Sequence, residues 1–143
     1  MKIAVIGSGY VGLVVGSCLA EVGNNVVCAD TDPGKVALLN KGEPPIYEPG
    51  LKPLIGRNLV AGRLTFTTEV IHAVQASDVI FIAVGTPASE DGLADLRQVL
   101  EVSQLIGEAM NGETVVVTKS TAPVGTARFV CEEIEKHTEH PVH

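Results

Sequence analysis

The stretch from Ile3 to Asp30, IAVIGSGYVGLVVGSCLAEVGNNVVCAD, limits what this chain can fold into more than any other part of it. Ile3, Ala4, Val5 and Ile6 form an unbroken apolar run, the pattern of a parallel strand covered on both faces. Gly7, Gly9 and Gly12 follow as G-x-G-x-x-G. Each glycine has its own task in such a turn. Gly7 permits the sharp exit from the strand. Gly9, lacking a Cβ, lets a pyrophosphate approach the backbone. Gly12 lets the following helix pack close to the strand. The unpaired N–H groups and positive end of that helix attract phosphate oxygens. Val11, Val14, Val15, Cys18, Leu19 and Val22 supply the apolar residues of the helix, and Gly23 stands where a left-handed C′ residue belongs. Val26, Val27 and Cys28 begin a second strand. It ends at Asp30, 18 residues after Gly12, where a carboxylate can accept two ribose hydroxyls. The order strand, glycine turn, helix, strand, acid predicts a dinucleotide site, as against a nucleotide-free unit whose glycines serve packing alone. A 2′-phosphate beside Asp30 would be repelled, and Thr31, not arginine, comes next. NAD is favoured over NADP.

The rest of the chain repeats the alternation. Asp32 suits an N-cap and Pro33 an N1 position, with Val36, Leu39 and Asn40 following and Gly42 as the stop. Lys35 lies in the first turn of that helix, near Asp30 in space. It admits two readings, a contact to the adenosine ribose or a solvated surface lysine. Glu43 to Leu51 is a stiff loop with three prolines and a glycine before its last residue. A short helix carries Leu51, Leu54, Ile55 and Leu59, and Leu64, Thr65 and Phe66 read as a strand. Thr67 or Thr68 should cap a small helix bearing Val70, Ile71 and Val74, with His72 a surface residue. Val79 to Val84 is another fully apolar strand. It runs into Gly85-Thr86-Pro87, at the carboxyl edge of the sheet where ligands bind, unless this is an ordinary strand-ending turn. SEDGLAD makes a polar loop, and Asp95 with Gln98 resembles a capping box. Leu96, Val99, Leu100, Ser103, Ile106 and Met110 share a helical face, which Asn111-Gly112 ends. Thr114 to Thr118 is the fifth strand. It leads to Ser120 and Thr121 on the same sheet edge and to a helix reaching about Lys136. His137, His140 and His143 recur at intervals of three in the tail, a spacing read as solvated side chains in preference to a metal site. Five strands alternating with helices predict a doubly wound α/β fold with strand order 3-2-1-4-5 and a crevice beside the first strand.

Composition narrows the partners. The 143 residues suffice for one domain with its own core. That core is aliphatic, because 45% of the residues are apolar and only 3% aromatic. A net charge of −7 opposes binding to nucleic acid or an anionic membrane, both of which need a basic face. No apolar run reaches a membrane span, and no signal peptide precedes the first strand. Three cysteines lie within the expected strand and helices and read as buried thiols in a reducing cytoplasm.

Four linked motifs then make a resemblance specific. MKIAVIGSGYVGL, IYEPGL, FIAVGTP followed by EDGLADL, and KSTAPVGT occur in this order, and over nearly all of its length the chain resembles the UDP-glucose 6-dehydrogenase family. GDP-mannose and UDP-N-acetylmannosamine dehydrogenases are related branches, and IYEPGL and EDGLADL are more similar to the UDP-glucose branch. The resemblance implies a doubly wound, Rossmann-like NAD-binding domain over residues 1–143, the N-terminal part of a longer enzyme, with its sixth strand truncated. It implies oxidation of an alcohol at sugar C6 to a carboxylate with two NAD, through an aldehyde and a thiohemiacetal on a cysteine. A nucleotide sugar would be the substrate, and the full-length enzyme a cytoplasmic homo-oligomer. Carried over by motif, Tyr10 and Val11 join Gly7, Gly9 and Gly12 at the pyrophosphate. Asp30 and Lys35 meet the adenosine ribose. Gly85 and Thr86 follow the fourth strand onto the cofactor, and Thr121 contacts NAD and helps to position a water. The family places its nucleophile in a G-G-x-C motif with a lysine and an aspartate; this sequence contains no such motif, so Cys18, Cys28 and Cys131 are not candidates and the chain alone is expected to be inactive. The alternative is a stand-alone NAD-binding module with a sensing role.

Overall fold

The computed structural model describes residues 1–89 and 92–143. Its elements run in the order β1 (Lys2–Ile6), α1 (Tyr10–Glu21), β2 (Asn25–Ala29), α2 (Pro33–Leu39), α3 (Leu51–Val60), β3 (Leu64–Thr67), α4 (Val70–Gln75), β4 (Val79–Ile82), α5 (Arg97–Ala109), β5 (Val115–Thr118) and α6 (Thr126–Glu135). The five strands form one parallel sheet in the order β3-β2-β1-β4-β5, as the alternation predicts. Beyond β5, Val142 bridges Thr114 in parallel, and the His143 N–H donates to the Thr114 carbonyl at 3.2 Å.

The two faces of the sheet explain the apolar runs. Ile3 and Val5 of β1 pack with Leu13, Cys28, Leu39 and Ile55 on the side of α1, α2 and α3. Ala4 and Ile6 pack with Ile80, Ile82, Val99, Ile106 and Ile134 on the side of α4, α5 and α6. Alternate residues of one strand thus serve two cores, so no position in β1 after Lys2 can be polar.

Several expectations need correction. The face of α1 turned to the sheet is Gly12, Leu13, Gly16, Ser17 and Ala20. The expected apolar set lies largely elsewhere: Val11 is 37% exposed, Val22 is 76% exposed and Cys18 is exposed. The reason is distance. A Cβ at Gly12 would lie 1.8 Å from the Gly7 carbonyl oxygen, and one at Gly16 would lie 2.6 Å from Cys28 Sγ. A helix this close to a strand admits only small side chains at the contact. Only Cys28 is a buried thiol, since Cys131 is half-buried on α6. In α4, Glu69 occupies the N-cap position without a side-chain cap, while Thr67 Oγ1 accepts the Glu69 N–H at 3.0 Å. Ile71 is 53% exposed, and Ala73 takes the core place beside Val74. β4 ends at Ile82, and Ala83 continues its line by donating its N–H to the Ile6 carbonyl at 2.8 Å. The Asp95–Gln98 capping box does not form. The Asp95 N–H goes to the Pro87 carbonyl, its carboxylate accepts the Arg97 N–H and pairs with the Arg97 guanidinium, and Leu96 is the N-cap. On α5, Val102 is buried where the expected face had Leu100, which is half-buried. Of the polar loop SEDGLAD, Glu90 and Asp91 lie outside the described residues.

Both ends of α1 are held. At its C-terminus Gly23 has φ +98°; its N–H reaches the Ala20 carbonyl and the Asn24 N–H reaches the Leu19 carbonyl, a complete Schellman closure. Glu21 there accepts hydrogen bonds from Arg57 and Asn58 of α3, and these donors outweigh burial and hold the Glu21 carboxyl below its usual value. At the N-terminus the Tyr10 hydroxyl donates to Glu48 of the proline-rich loop.

Candidate dinucleotide site

The glycine turn is built from both neighbouring strands. Gly7 has φ +102°, where a side chain is strained, and its N–H donates to the Ala29 carbonyl at 2.8 Å. On the other side a Cβ at Gly7 would stand 2.8 Å from the Ala83 carbonyl oxygen. The turn is therefore clamped between the carboxyl ends of β2 and β4, where the order of the sheet reverses and a crevice opens.

Gly9 differs from its neighbours. Its backbone is extended (φ −77°, ψ −169°), and no atom lies within 4 Å of where its Cβ would be. Nothing in the fold demands glycine here; the space is free for a ligand. Gly9 is also the N-cap of α1 and offers no side chain to the first-turn N–H groups. A group that accepts hydrogen bonds and carries negative charge suits that end.

Asp30 follows directly on β2 and is tied into the same turn. Its Oδ2 accepts the Ser8 N–H at 2.9 Å and Lys35 Nζ at 2.8 Å, and its Oδ1 accepts the Asp32 N–H at 3.0 Å. Burial works to raise the carboxyl; the Lys35 ammonium and the Asp32 and Ser8 N–H groups outweigh it and hold Asp30 below the usual carboxylate range. Asp32 caps α2 as the sequence implies, accepting the Gly34 and Lys35 N–H groups at 2.9 and 3.1 Å. That cap fixes the start of α2 so that Lys35 reaches Asp30. Lys35 is thus neither free nor simply solvated: it is the counter-charge of the acid.

These residues border a cleft of about 490 Å³ at the carboxyl edge of the sheet. Of the expected cofactor residues, Gly7, Gly9, Asp30, Lys35 and Gly85 line it. Tyr10, Val11, Gly12, Thr86 and Thr121 do not. Tyr10 is 52% exposed and bonded to Glu48, Val11 faces outward, and Gly12 is buried under the turn. The Thr86 hydroxyl donates to the Thr121 carbonyl, so these two residues mark the rim where β4 and β5 end. Ser120 joins the same rim, its hydroxyl donating to the Val84 carbonyl at 2.6 Å. The far wall was missed from the sequence: Gln98, Glu101, Val102 and Leu105 come from α5 and Val70 from α4. Gln98, Glu101, Val102 and Leu105 recur at helical spacing, and that stripe was the available signal. Ser8 was missed as well; its side-chain oxygen is buried without a hydrogen-bond partner. Among the described residues no group of three or more His, Cys, Asp or Glu is placed to hold a metal ion, and no helix is long and apolar enough to cross a membrane.

A bare glycine at an uncapped helix end, an unpartnered buried hydroxyl in the same turn and an acid held ionised beside that turn fit a dinucleotide. Comparison with known proteins agrees. A family model described as "UDP-glucose/GDP-mannose dehydrogenase family, NAD binding domain" matches residues 1–142. The chain is 54% identical over 135 residues to the UDP-glucose 6-dehydrogenase TuaD of Bacillus subtilis (strain 168), covering 94% of this chain and 29% of that one. A UDP-glucose dehydrogenase structure from Pyrobaculum islandicum superposes with TM-score 0.94 at 40% identity, over 98% of this chain and 34% of that one. A GDP-mannose dehydrogenase ternary complex from Pseudomonas aeruginosa gives TM-score 0.94 at 39% identity, over 99% and 33%. The chain spans about a third of the length of these relatives.

Proposed function

This chain belongs to the UDP-glucose/GDP-mannose dehydrogenase family, and on that premise we propose that residues 1–143 form the NAD-binding domain of a nucleotide-sugar dehydrogenase that oxidises UDP-glucose. The observation that carries the cofactor half of this reading is Asp30, held ionised by Lys35 and joined through the Ser8 N–H to the glycine turn. The α1 end and Gly9 receive the pyrophosphate. Asp30 accepts a ribose hydroxyl, and Lys35 lies close enough to donate to the same sugar. Thr86 and Thr121, on the rim where β4 and β5 end, would face the nicotinamide half, and Thr121 would orient a water beside it. When bound, NAD supplies the hydride acceptor. The two-step oxidation, with two NAD and a cysteine thiohemiacetal, belongs to the remainder of a full-length enzyme in this reading, as do the nucleotide-sugar contacts and a homo-oligomeric state. The choice of UDP-glucose rests on the names of the curated relatives at 46–54% identity, with GDP-mannose as the alternative raised by the structural neighbour. A cytoplasmic location accords with three cysteines that form no disulfide.

The test is titration calorimetry of the 143-residue chain. NAD should bind at roughly 10⁻⁴ M or weaker, because an open cleft at the sheet edge buries only part of its ligand, and should bind at least about tenfold more tightly than NADP, a difference of about 1.4 kcal/mol. Equal affinity for the two would remove the role given to Asp30.

A further inference from the structure

The wall contributed by α5 has no role in the proposal above, and its chemistry is specific. Resting on the NAD reading, the pyrophosphate lies at Gly9 and the ribose at Asp30, so the base attached to that ribose continues into the part of the cleft beyond Asp30. From α4, the segment after β4 and α5 the cleft is lined by Val70, Val84, Val102 and Leu105, with Gln98 and Glu101 as the polar residues α5 contributes. Four aliphatic side chains suit the two faces of a flat ring. The polar pair sits one helical turn apart on α5, at i and i+3, on the cleft side. Gln98 Oε1 comes within 3.8 Å of the position a Cβ would take at Gly85, which places its carboxamide against the end of β4.

Glu101 is the informative residue. A dinucleotide is an anion, and a carboxylate in its site is unfavourable unless it meets a donor on the ligand. Glu101 is not consumed elsewhere among the described residues: Arg97, one turn earlier, feels its charge but places Nε and Nη2 on the Asp95 carboxylate. Adenine carries one strong donor on its outer edge, the exocyclic 6-amino group, beside the N1 acceptor. A carboxylate accepts only, and a carboxamide both donates and accepts.

We infer that Glu101 is a specificity residue that accepts a hydrogen bond from the 6-amino group of the adenine base, with Gln98 alongside it on the same edge. The site then selects a 6-aminopurine over a 6-oxopurine, because a 6-oxo oxygen would face the carboxylate oxygen with no proton between them.

The experiment compares NAD with nicotinamide hypoxanthine dinucleotide, in which a 6-oxo group replaces the 6-amino group and N1 carries a proton. Calorimetry on the 143-residue chain should show NAD binding about tenfold more tightly than the analogue, the ratio expected for one discriminating hydrogen bond. In Glu101→Gln the carboxamide can donate to the oxo oxygen, and the ratio should fall to within about threefold. Glu108→Gln, on the same helix but away from the cleft, should keep the wild-type ratio. Thermal melting checks that each variant is folded; should Glu101→Gln melt early, Glu101→Asp, which shortens the reach by one methylene, should show the same narrowing. A wild-type ratio near one, or a ratio unchanged in folded Glu101→Gln, overturns the inference while leaving the NAD site standing. Absence of NAD binding to the wild-type chain overturns the cofactor reading and this inference with it.

Discussion

Asp30 is the acid of the proposed ribose contact. Replacing it with Ala would remove that proposed acceptor and release Lys35 and the Ser8 N–H. A hydrogen bond to a charged group contributes about 1.5–3 kcal/mol, so NAD affinity should fall by about 10- to 150-fold. NADP should lose less, since a repulsive charge disappears together with the acceptor, and calorimetry with both cofactors should show the preference narrowing. The same residue carries a pH signature. Its folded carboxyl is held below the ordinary value, so its contribution to stability is present above about pH 4 and is lost as pH falls through the lowered folded value. Melting temperature against pH should be flatter below pH 4 in Asp30→Asn than in the wild type. The cysteines separate in a different assay. Cys18 is exposed and should alkylate first. Cys131 should follow more slowly, because burial, then Glu135 and Glu132, push its thiol up. Cys28 is fully buried, its thiol is pushed up to about 12, and it should stay unlabelled until the chain unfolds. The sign for Cys28 is opposite to that for Asp30. The unfolded thiol loses its proton near pH 9 and the folded one does not, so stability is intact below pH 9 and falls above it by up to about 1.4 kcal/mol per pH unit. Mass spectrometry of timed alkylation that finds Cys28 modified as fast as Cys18 in the native chain would contradict the burial of β2.

At the scale of an element, the junction of β1, the turn and α1 contains glycines of opposite kinds. Gly9→Val should give a folded domain with no measurable NAD binding, because its side chain would occupy space that only a ligand needs. Gly12→Ala should keep little of the fold. Its methyl would lie 1.8 Å from a backbone oxygen, so α1 must lift off the sheet, at a cost of about 3 kcal/mol or more. Circular dichroism melts beside calorimetry separate the two; a Gly9→Val variant that still binds NAD would make the turn purely structural. The contrast also shows which features could be read from the residues alone. The strand order, the α2 cap at Asp32, the turn at Gly7 and the place of Asp30 follow from local patterns, in which one residue type at one spacing has one physical meaning. The burial of α1 did not follow. Counting apolar residues assigns the core to Val11, Cys18 and Val22, whereas the helix is seated by residues with almost no side chain, Gly12 and Gly16, and that depends on Cys28 from another strand. The Asp95–Gln98 box failed for a similar reason: a carbonyl in the segment after β4, that of Pro87, took the N–H that the box needed. The α5 stripe is legible as a helical face, but nothing within α5 states which strand end it faces, so its place on the cleft is not. Tyr10–Glu48 and Glu21–Arg57–Asn58 join segments 38, 36 and 37 residues apart, and no local pattern encodes such pairings.

For the whole molecule, the expectation is that this chain does not oxidise UDP-glucose by itself. Hydride transfer needs the sugar held against the nicotinamide in near-attack geometry. The second oxidation of the proposed reaction needs a thiolate beside the aldehyde carbon, which requires a lowered thiol pKa and access. The three cysteines of the sequence meet neither condition at the cleft. Cys18 lies on the outward face of α1, Cys28 is sealed between α1 and the sheet with its thiol pushed up to about 12, and Cys131 sits on α6 with its thiol pushed up by burial and then by Glu135 and Glu132. None of them lines the cleft. The rim supplies Thr86, bonded to the Thr121 carbonyl, and Ser120, bonded to the Val84 carbonyl; these hydroxyls hold two strand ends together and leave no activated nucleophile. Lys119 is exposed near the same edge and could at most polarise an oxygen. The relatives are about three times as long, which leaves ample chain there for a sugar site and a reactive cysteine. Absorbance at the NADH band, followed after mixing the purified chain with NAD and UDP-glucose, should stay flat, while calorimetry on the same sample still detects NAD. Steady turnover that persists through further purification would place a complete catalytic centre within these 143 residues, and the search for its base would begin at Ser120, Thr121 and Lys119.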